Sequence, residues 1–182
     1  MIGFIQQMIN GLSIGSVYAL MAVGYSLVYS IMNFSNFAHG GVIMIGSYIG
    51  FFCISLLNFS FPVAFVTAAL GSGILAIIVE RVAYNPLRKR NAPFLYFIIS
   101  AMGASIFLEN IVVATIGPTF RTYPPVFSAT PIQIGALTIG RLDVLMFVIS
   151  AISLSILVYI IEKTKIGLAI RATSYSSKGS TL

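Results

Sequence analysis

The chain has 182 residues, of which 58% are hydrophobic and 8% charged, and a formal net charge of +6; its mean hydropathy is +1.02. Soluble domains average about 25% charged residues, so a water-exposed globule of this composition is excluded. Most of the bases sit in two short blocks and not along one face, which argues against a nucleic-acid partner, and a lone Cys53 rules out an internal disulfide.

Residues 1–161 contain five apolar stretches, with almost every charge between them. A hydrocarbon core of roughly 30 Å takes about 20 helical residues, and helix is the spanning form that satisfies its own backbone. The predicted spans are Ile5–Tyr29, Phe37–Leu57, Pro62–Ala83, Pro93–Ile116 and Leu142–Ile161. The fold class is all-α: a polytopic helix bundle in a lipid bilayer. The start, MIGFIQQMIN, has no basic n-region, and the apolar run after it is too long for a signal peptide, so the first span is expected to be retained. Gly11, Gly15 and Ala19 recur at intervals of four in that span, as do Gly46 and Gly50 in the second. Small residues at this spacing let helix backbones approach closely, so these are helix-packing positions; thin walls beside a passage are the alternative.

Between the first two spans lies the polar break Asn33-Phe34-Ser35-Asn36-Phe37-Ala38-His39-Gly40-Gly41. Polar, glycine-bearing backbone near membrane depth is tolerated where it lines a cavity or is covered by protein, which makes Asn33, Asn36, His39 and Gly40 substrate-pathway candidates. An interfacial turn with Asn36 capping the next helix explains the same residues, and both readings stand. One histidine and one cysteine do not make a metal site, and no cofactor is expected.

The third span ends at Glu80-Arg81, read as a local ion pair or a helix-terminus charge, followed by a loop over 84–92 with Arg88, Lys89 and Arg90. Glu109 is the acidic residue well inside a span, with Ser105 and Asn110 as its nearest polar candidates. A carboxylate facing lipid costs a few kcal/mol, so Glu109 should face the bundle, a partner or a wet cavity; it joins the pathway candidates. Residues 117–141 hold Pro118, Pro124, Pro125 and Pro131 and cannot form one helix. Within them PIQIGALTIG alternates around Gly135-Ala136, which predicts a small β-hairpin on the outer surface.

After Ile161, EKTKIGLAIRATS sets Ile166, Ala169 and Ile170 beside Lys163, Lys165 and Arg171, predicting a short amphipathic helix. Residues 1–172 are read as one transmembrane domain and 173–182 as a polar, disordered tail. The basic blocks place loop 84–92 and the C-terminal region on the cytoplasmic side; counting back three crossings puts the N-terminus outside. There is no Gly-rich phosphate loop, and Asp143 and His39 fall on opposite sides of the membrane, so no catalytic residue is expected and the chain is not read as an enzyme.

The run QQMINGLSIGSVYALMAVGYSLVYSIMNFSNFAHGGVIMIGSYIG resembles the opening of the LivH-type permease subunit of bacterial branched-chain amino-acid ABC transporters. ERVAYNPLRKR followed by FIISAMGASIFLEN resembles the next characteristic block, and KTKIGLAIRA the entry to the cytoplasmic loop that contacts the ATPase. The resemblance implies an ABC importer permease in the bacterial inner membrane. Its implied partners are a second, related permease subunit, two cytoplasmic ATP-binding subunits and a periplasmic solute-binding protein, and its implied substrate is leucine, isoleucine, valine or a related amino acid. It also implies that Lys165, Gly167, Arg171 and Ala172 belong to the ATPase-coupling loop. In the family that loop continues into an acidic helix and several further spans. Here it runs into YSSKGSTL, so the fold is expected to be incomplete at the C-terminus and the chain unable to transport by itself. The alternatives are a self-contained channel or secondary transporter, a permease for another small solute such as urea, a membrane-embedded enzyme and a non-transporting remnant.

Overall fold

Apolar runs become helices, most of which end beside a proline, a glycine or an asparagine. The computed structural model describes residues 2–125, 132–134 and 137–175. The elements are α1 Ile2–Met32, α2 His39–Ser55, α3 Phe61–Val79, a π-helical turn Glu80–Tyr84, α4 Asn85–Lys89, α5 Phe94–Ile116, β1 Ile132–Ile134, β2 Leu137–Ile139, α6 Arg141–Lys163 and α7 Lys165–Tyr175. Among them Gly3–Met32, Phe61–Lys89, Phe94–Ile116 and Arg141–Lys163 are long and apolar enough to cross a membrane. Leu70, Ile74 and Phe107 are each more than half exposed, which is ordinary solvent contact where the solvent is lipid. The chain forms two compact units, Met1–Asn33 with Phe127–Leu182, and Phe34–Val126.

In the first unit α1 packs along α6 and touches α7 and β2. The strands β1 and β2 pair antiparallel, Ile132 opposite Ile139 and Ile134 opposite Leu137; the predicted turn at Gly135-Ala136 lies outside the described residues. The Gln6 amide ties β2 to α1: its Nε2 donates to the Thr138 carbonyl at 2.6 Å while its Oε1 accepts the Thr138 N–H at 2.9 Å. One side chain thus occupies both backbone groups that an edge strand would otherwise leave open.

In the second unit α2 packs on α3 and α5, and its glycines set the closeness. A Cβ at Gly46 would stand 3.0 Å from Ser72 Cβ, one at Gly50 3.5 Å from Ala68 Cβ, and one at Gly41 3.1 Å from Leu108 Cβ. Cys53 is buried in the α2–α3 seam with its Sγ 3.3 Å from Thr67 Oγ1.

Two expectations about helix ends are corrected. The second predicted span, Phe37–Leu57, is a 17-residue helix, His39–Ser55, about 25 Å long at 1.5 Å per residue. The polar break holds its start back to His39, and the αL residue Asn58 (φ 50) closes the other end. The third predicted span does not end in a loop at Ala83 but runs on to Lys89. Pro86 is the reason. In a regular helix its ring would collide with the carbonyl four residues back, and it brings no N–H. The π turn inserts one residue, so that the Asn85 N–H bonds the Glu80 carbonyl, and the helix passes the proline intact. The same insertion corrects the Glu80-Arg81 pairing. Glu80 bonds Arg88 at 2.9 Å, because the extra residue carries position 88 onto the face that position 87 would hold. Both partners are exposed, so the pair adds about 0–1 kcal/mol.

Candidate functional site

The polar break folds into a packed joint. Asn33 (φ 56) stands at the end of α1 with its N–H on the Tyr29 carbonyl at 2.8 Å, the αL cap that asparagine tolerates better than most residues. Asn36 Oδ1 accepts the Ala38 N–H at 3.2 Å and the Tyr84 hydroxyl at 2.6 Å. Phe34, 3% exposed, meets the Tyr84 ring edge-on at 5.1 Å and lies 5.2 Å from the Phe97 ring. Ser100 Oγ donates to the Ala83 carbonyl at 2.8 Å, satisfying a group loosened by the π turn. Asn36 therefore links the break to the π turn. His39 is half-buried at the start of α2, and Gly40 is exposed with open space where a Cβ would stand.

A cleft of about 600 Å³ lies elsewhere in the same unit, lined by Ser47 and Phe51 of α2, Glu109 and Val112 of α5, and Arg121 and Tyr123 of the segment after α5. Gly117 (φ 94) closes α5 with its N–H on the Val113 carbonyl and turns the chain. Tyr123 then pins the segment to α2: its hydroxyl donates to the Ser47 carbonyl at 2.6 Å and its ring meets Phe51 edge-on at 5.6 Å. Gly50 leaves the room, since a Cβ there would come 3.1 Å from the Tyr123 hydroxyl. Glu109 Oε1 accepts the Ser105 hydroxyl at 3.0 Å, whereas Asn110, the other predicted neighbour, bonds the Ile106 carbonyl of its own helix at 2.7 Å. Of the sequence-derived pathway candidates, Glu109 lines this cleft; Asn33, Asn36, His39 and Gly40 do not. Arg121 and Tyr123 were not singled out from the sequence. A lone base among prolines looks like an ordinary surface residue until the segment is seen folded back onto α2.

In the first unit, α6 turns into α7 at Thr164, whose hydroxyl accepts the Gly167 N–H at 3.1 Å, an N-cap in the usual position. A Cβ on Gly167 would overlap the Ile160 and Ile161 carbonyls, so glycine is what allows this corner. Arg171 reaches back to the Glu162 carbonyl at 3.4 Å, placing a cation over the C-terminal end of α6. Lys165 is exposed in the first turn of α7, and Ala172 lies in that helix. Helix α7 continues to Tyr175, so Thr173–Tyr175, read as tail, are helical; residues 176–182 lie outside the described residues. On α1, Gly11 and Gly15 have open space where a Cβ would stand and Ala19 is exposed, so no described neighbour covers that small-residue face.

Membrane-length helices and an exposed apolar surface define a multi-pass membrane protein. The chain belongs to the family described as branched-chain amino acid transport system / permease component, whose model matches residues 7–181. It is 36% identical, over 98% of its length and 62% of the relative's, to the high-affinity branched-chain amino acid transport system permease protein BraD of Pseudomonas aeruginosa. It is 37% identical to the LivH permease protein of Salmonella typhimurium over 98% of this chain and 61% of that one. It is 28% identical to a probable branched-chain amino acid transport permease protein LivH of Methanocaldococcus jannaschii, over 87% and 51% respectively. The chain thus spans about three fifths of the two bacterial relatives. No solved structure matches it.

Proposed function

We propose that the protein is the membrane-spanning subunit of an ATP-driven importer for leucine, isoleucine, valine or a closely related amino acid. The family match over residues 7–181 carries this reading. Its partners are a second permease subunit, two ATP-binding subunits and a solute-binding protein that delivers substrate to the outer face. The C-terminal end of α4 at Arg88–Arg90 and the α6–α7 corner lie on the cytoplasmic side, where basic residues are retained, and α7 with Lys165, Gly167, Arg171 and Ala172 meets the ATPase. The N-terminus is outside. Glu109, at the α5 cleft, lies on the substrate route, and Asn33, Asn36, His39 and Gly40 are kept as further pathway residues.

Uptake tests this. Bacteria lacking their own leucine permease, supplied with this chain extended by the C-terminal part of the Salmonella typhimurium relative and with its partner subunits, should accumulate labelled leucine only while ATP is available. Flux through the permease without partners or ATP would establish a channel or secondary transporter instead. Accumulation of urea but not leucine would move the substrate outside the amino acids.

A further inference from the structure

The cleft of the second unit combines three chemistries. Glu109 supplies an anion. Arg121 supplies a cation. Phe51 and Val112 supply an apolar wall. At about 600 Å³ the space falls within the roughly 300–1,000 Å³ usual for small-molecule sites. An inorganic anion or a metal cation would be drawn to a site of one sign; here the two charges sum to zero. A neutral sugar would leave the charges of Glu109 and Arg121 without ionic partners. The ligand that matches carries both charges itself and an aliphatic tail.

We propose that this cleft binds a zwitterionic aliphatic amino acid, Glu109 receiving its ammonium and Arg121 its carboxylate; the inference rests on the importer reading. Ser105 occupies Oε1 of Glu109, and a carboxylate accepts at both of its oxygens, so Glu109 retains capacity for an ammonium. Arg121 gives one N–H to the Ile116 carbonyl at 3.4 Å; a guanidinium carries five, arranged in a fork that suits a carboxylate. Tyr123, fastened to Ser47 and Phe51, holds the Arg121 segment against α2, so the two charges are carried on one folded unit. A carboxylate in a membrane-length helix is costly in lipid and gains its place by facing a wet, ligand-bearing space.

Saturation-transfer NMR on the whole chain in phosphatidylcholine nanodiscs, with empty nanodiscs as background, tests the assignment. Three probes are compared: leucine, 4-methylpentanoate (no ammonium) and 3-methylbutylamine (no carboxylate). Leucine should be preferred over each by about tenfold, the effect of one hydrogen bond to a charged group. Glu109→Gln should erase the preference over 4-methylpentanoate, and Arg121→Gln the preference over 3-methylbutylamine. Equal binding of all three by the unaltered chain overturns the proposal without any variant having to fold. So do preferences that survive both substitutions in variants whose Cys53 stays protected from a maleimide. If ATP-dependent leucine uptake holds while this pattern is absent, the site is wrong and the importer stands. If the pattern appears and uptake does not, the importer reading fails and the site stands.

Discussion

Tyr84→Ala is expected to destabilise the second unit by roughly 2–4 kcal/mol, at or below the usual cost of deleting a core aromatic because lipid removes part of the transfer term. Tyr84 is 1% exposed and is the largest fully buried side chain among the described residues. Its ring packs on Phe34 and its hydroxyl satisfies Asn36, so the truncation both empties a cavity and takes a donor from the joint. Tyr84→Phe keeps the ring and isolates the hydrogen bond, for which about 0.5–1.5 kcal/mol is expected. The native chain carries its own reporter. Cys53 is the single cysteine and 8% exposed, so a fluorogenic maleimide reacts as the unit opens on heating. The order of midpoints should be wild type, Tyr84→Phe, Tyr84→Ala, from highest to lowest. Equal midpoints for Tyr84→Ala and wild type would mean that the joint does not hold the unit together.

Gly46→Leu should cost about 1–3 kcal/mol through overpacking. A Cβ at Gly46 already stands 3.0 Å from Ser72 Cβ and 3.8 Å from the Ala68 carbonyl, and the rest of a leucine must push α3 away from α2. The same thiol assay reads this directly, because Cys53 lies in that seam beside Thr67. Gly73 and Gly103 provide the opposite sign. A Cβ at either meets nothing within 4 Å, so alanine there should raise the midpoint by the helix-propensity gain of about 0.5–1 kcal/mol. If Gly46→Leu and Gly73→Ala shifted the midpoint alike, close approach at Gly46 would not be what sets the α2–α3 distance.

Membrane-length helices were legible because hydropathy is a local property: twenty apolar residues announce themselves without any partner. Helix ends were legible only in part. Pro62 marks the start of α3 as its position suggests, but the one-residue insertion at Glu80–Tyr84 leaves no mark on hydropathy. Its cause, Pro86, equally well signals a loop. Asn33 shows what polarity leaves open. An asparagine between apolar spans looks like a pathway residue, yet its positive φ gives it a capping role that sequence pattern does not distinguish. Glu109 stood out because a lone acid in an apolar helix is costly. Arg121 did not, since its meaning depends on Tyr123 reaching Ser47, a contact between residues 76 positions apart. The resemblance marks Gly167 as a coupling residue; separately from any such role, the two carbonyls of α6 that exclude a Cβ explain why glycine stands at this corner.

In the proposed function, the sidedness of the basic ends is what would tie the helices to an ATP-driven partner. Between Arg88 and Lys165 lie α5 and α6, both of membrane length, so the expectation that both positions face the same compartment does not rest on the short helix α2. The decisive experiment labels Arg88→Cys and Lys165→Cys, each in a Cys53→Ala background, with a membrane-impermeant maleimide in intact cells and in inverted vesicles. Both positions should react in inverted vesicles and stay silent in intact cells. Reaction of the two from opposite faces, or of either in intact cells, would contradict a permease whose ATPase-facing surfaces share one side of the membrane.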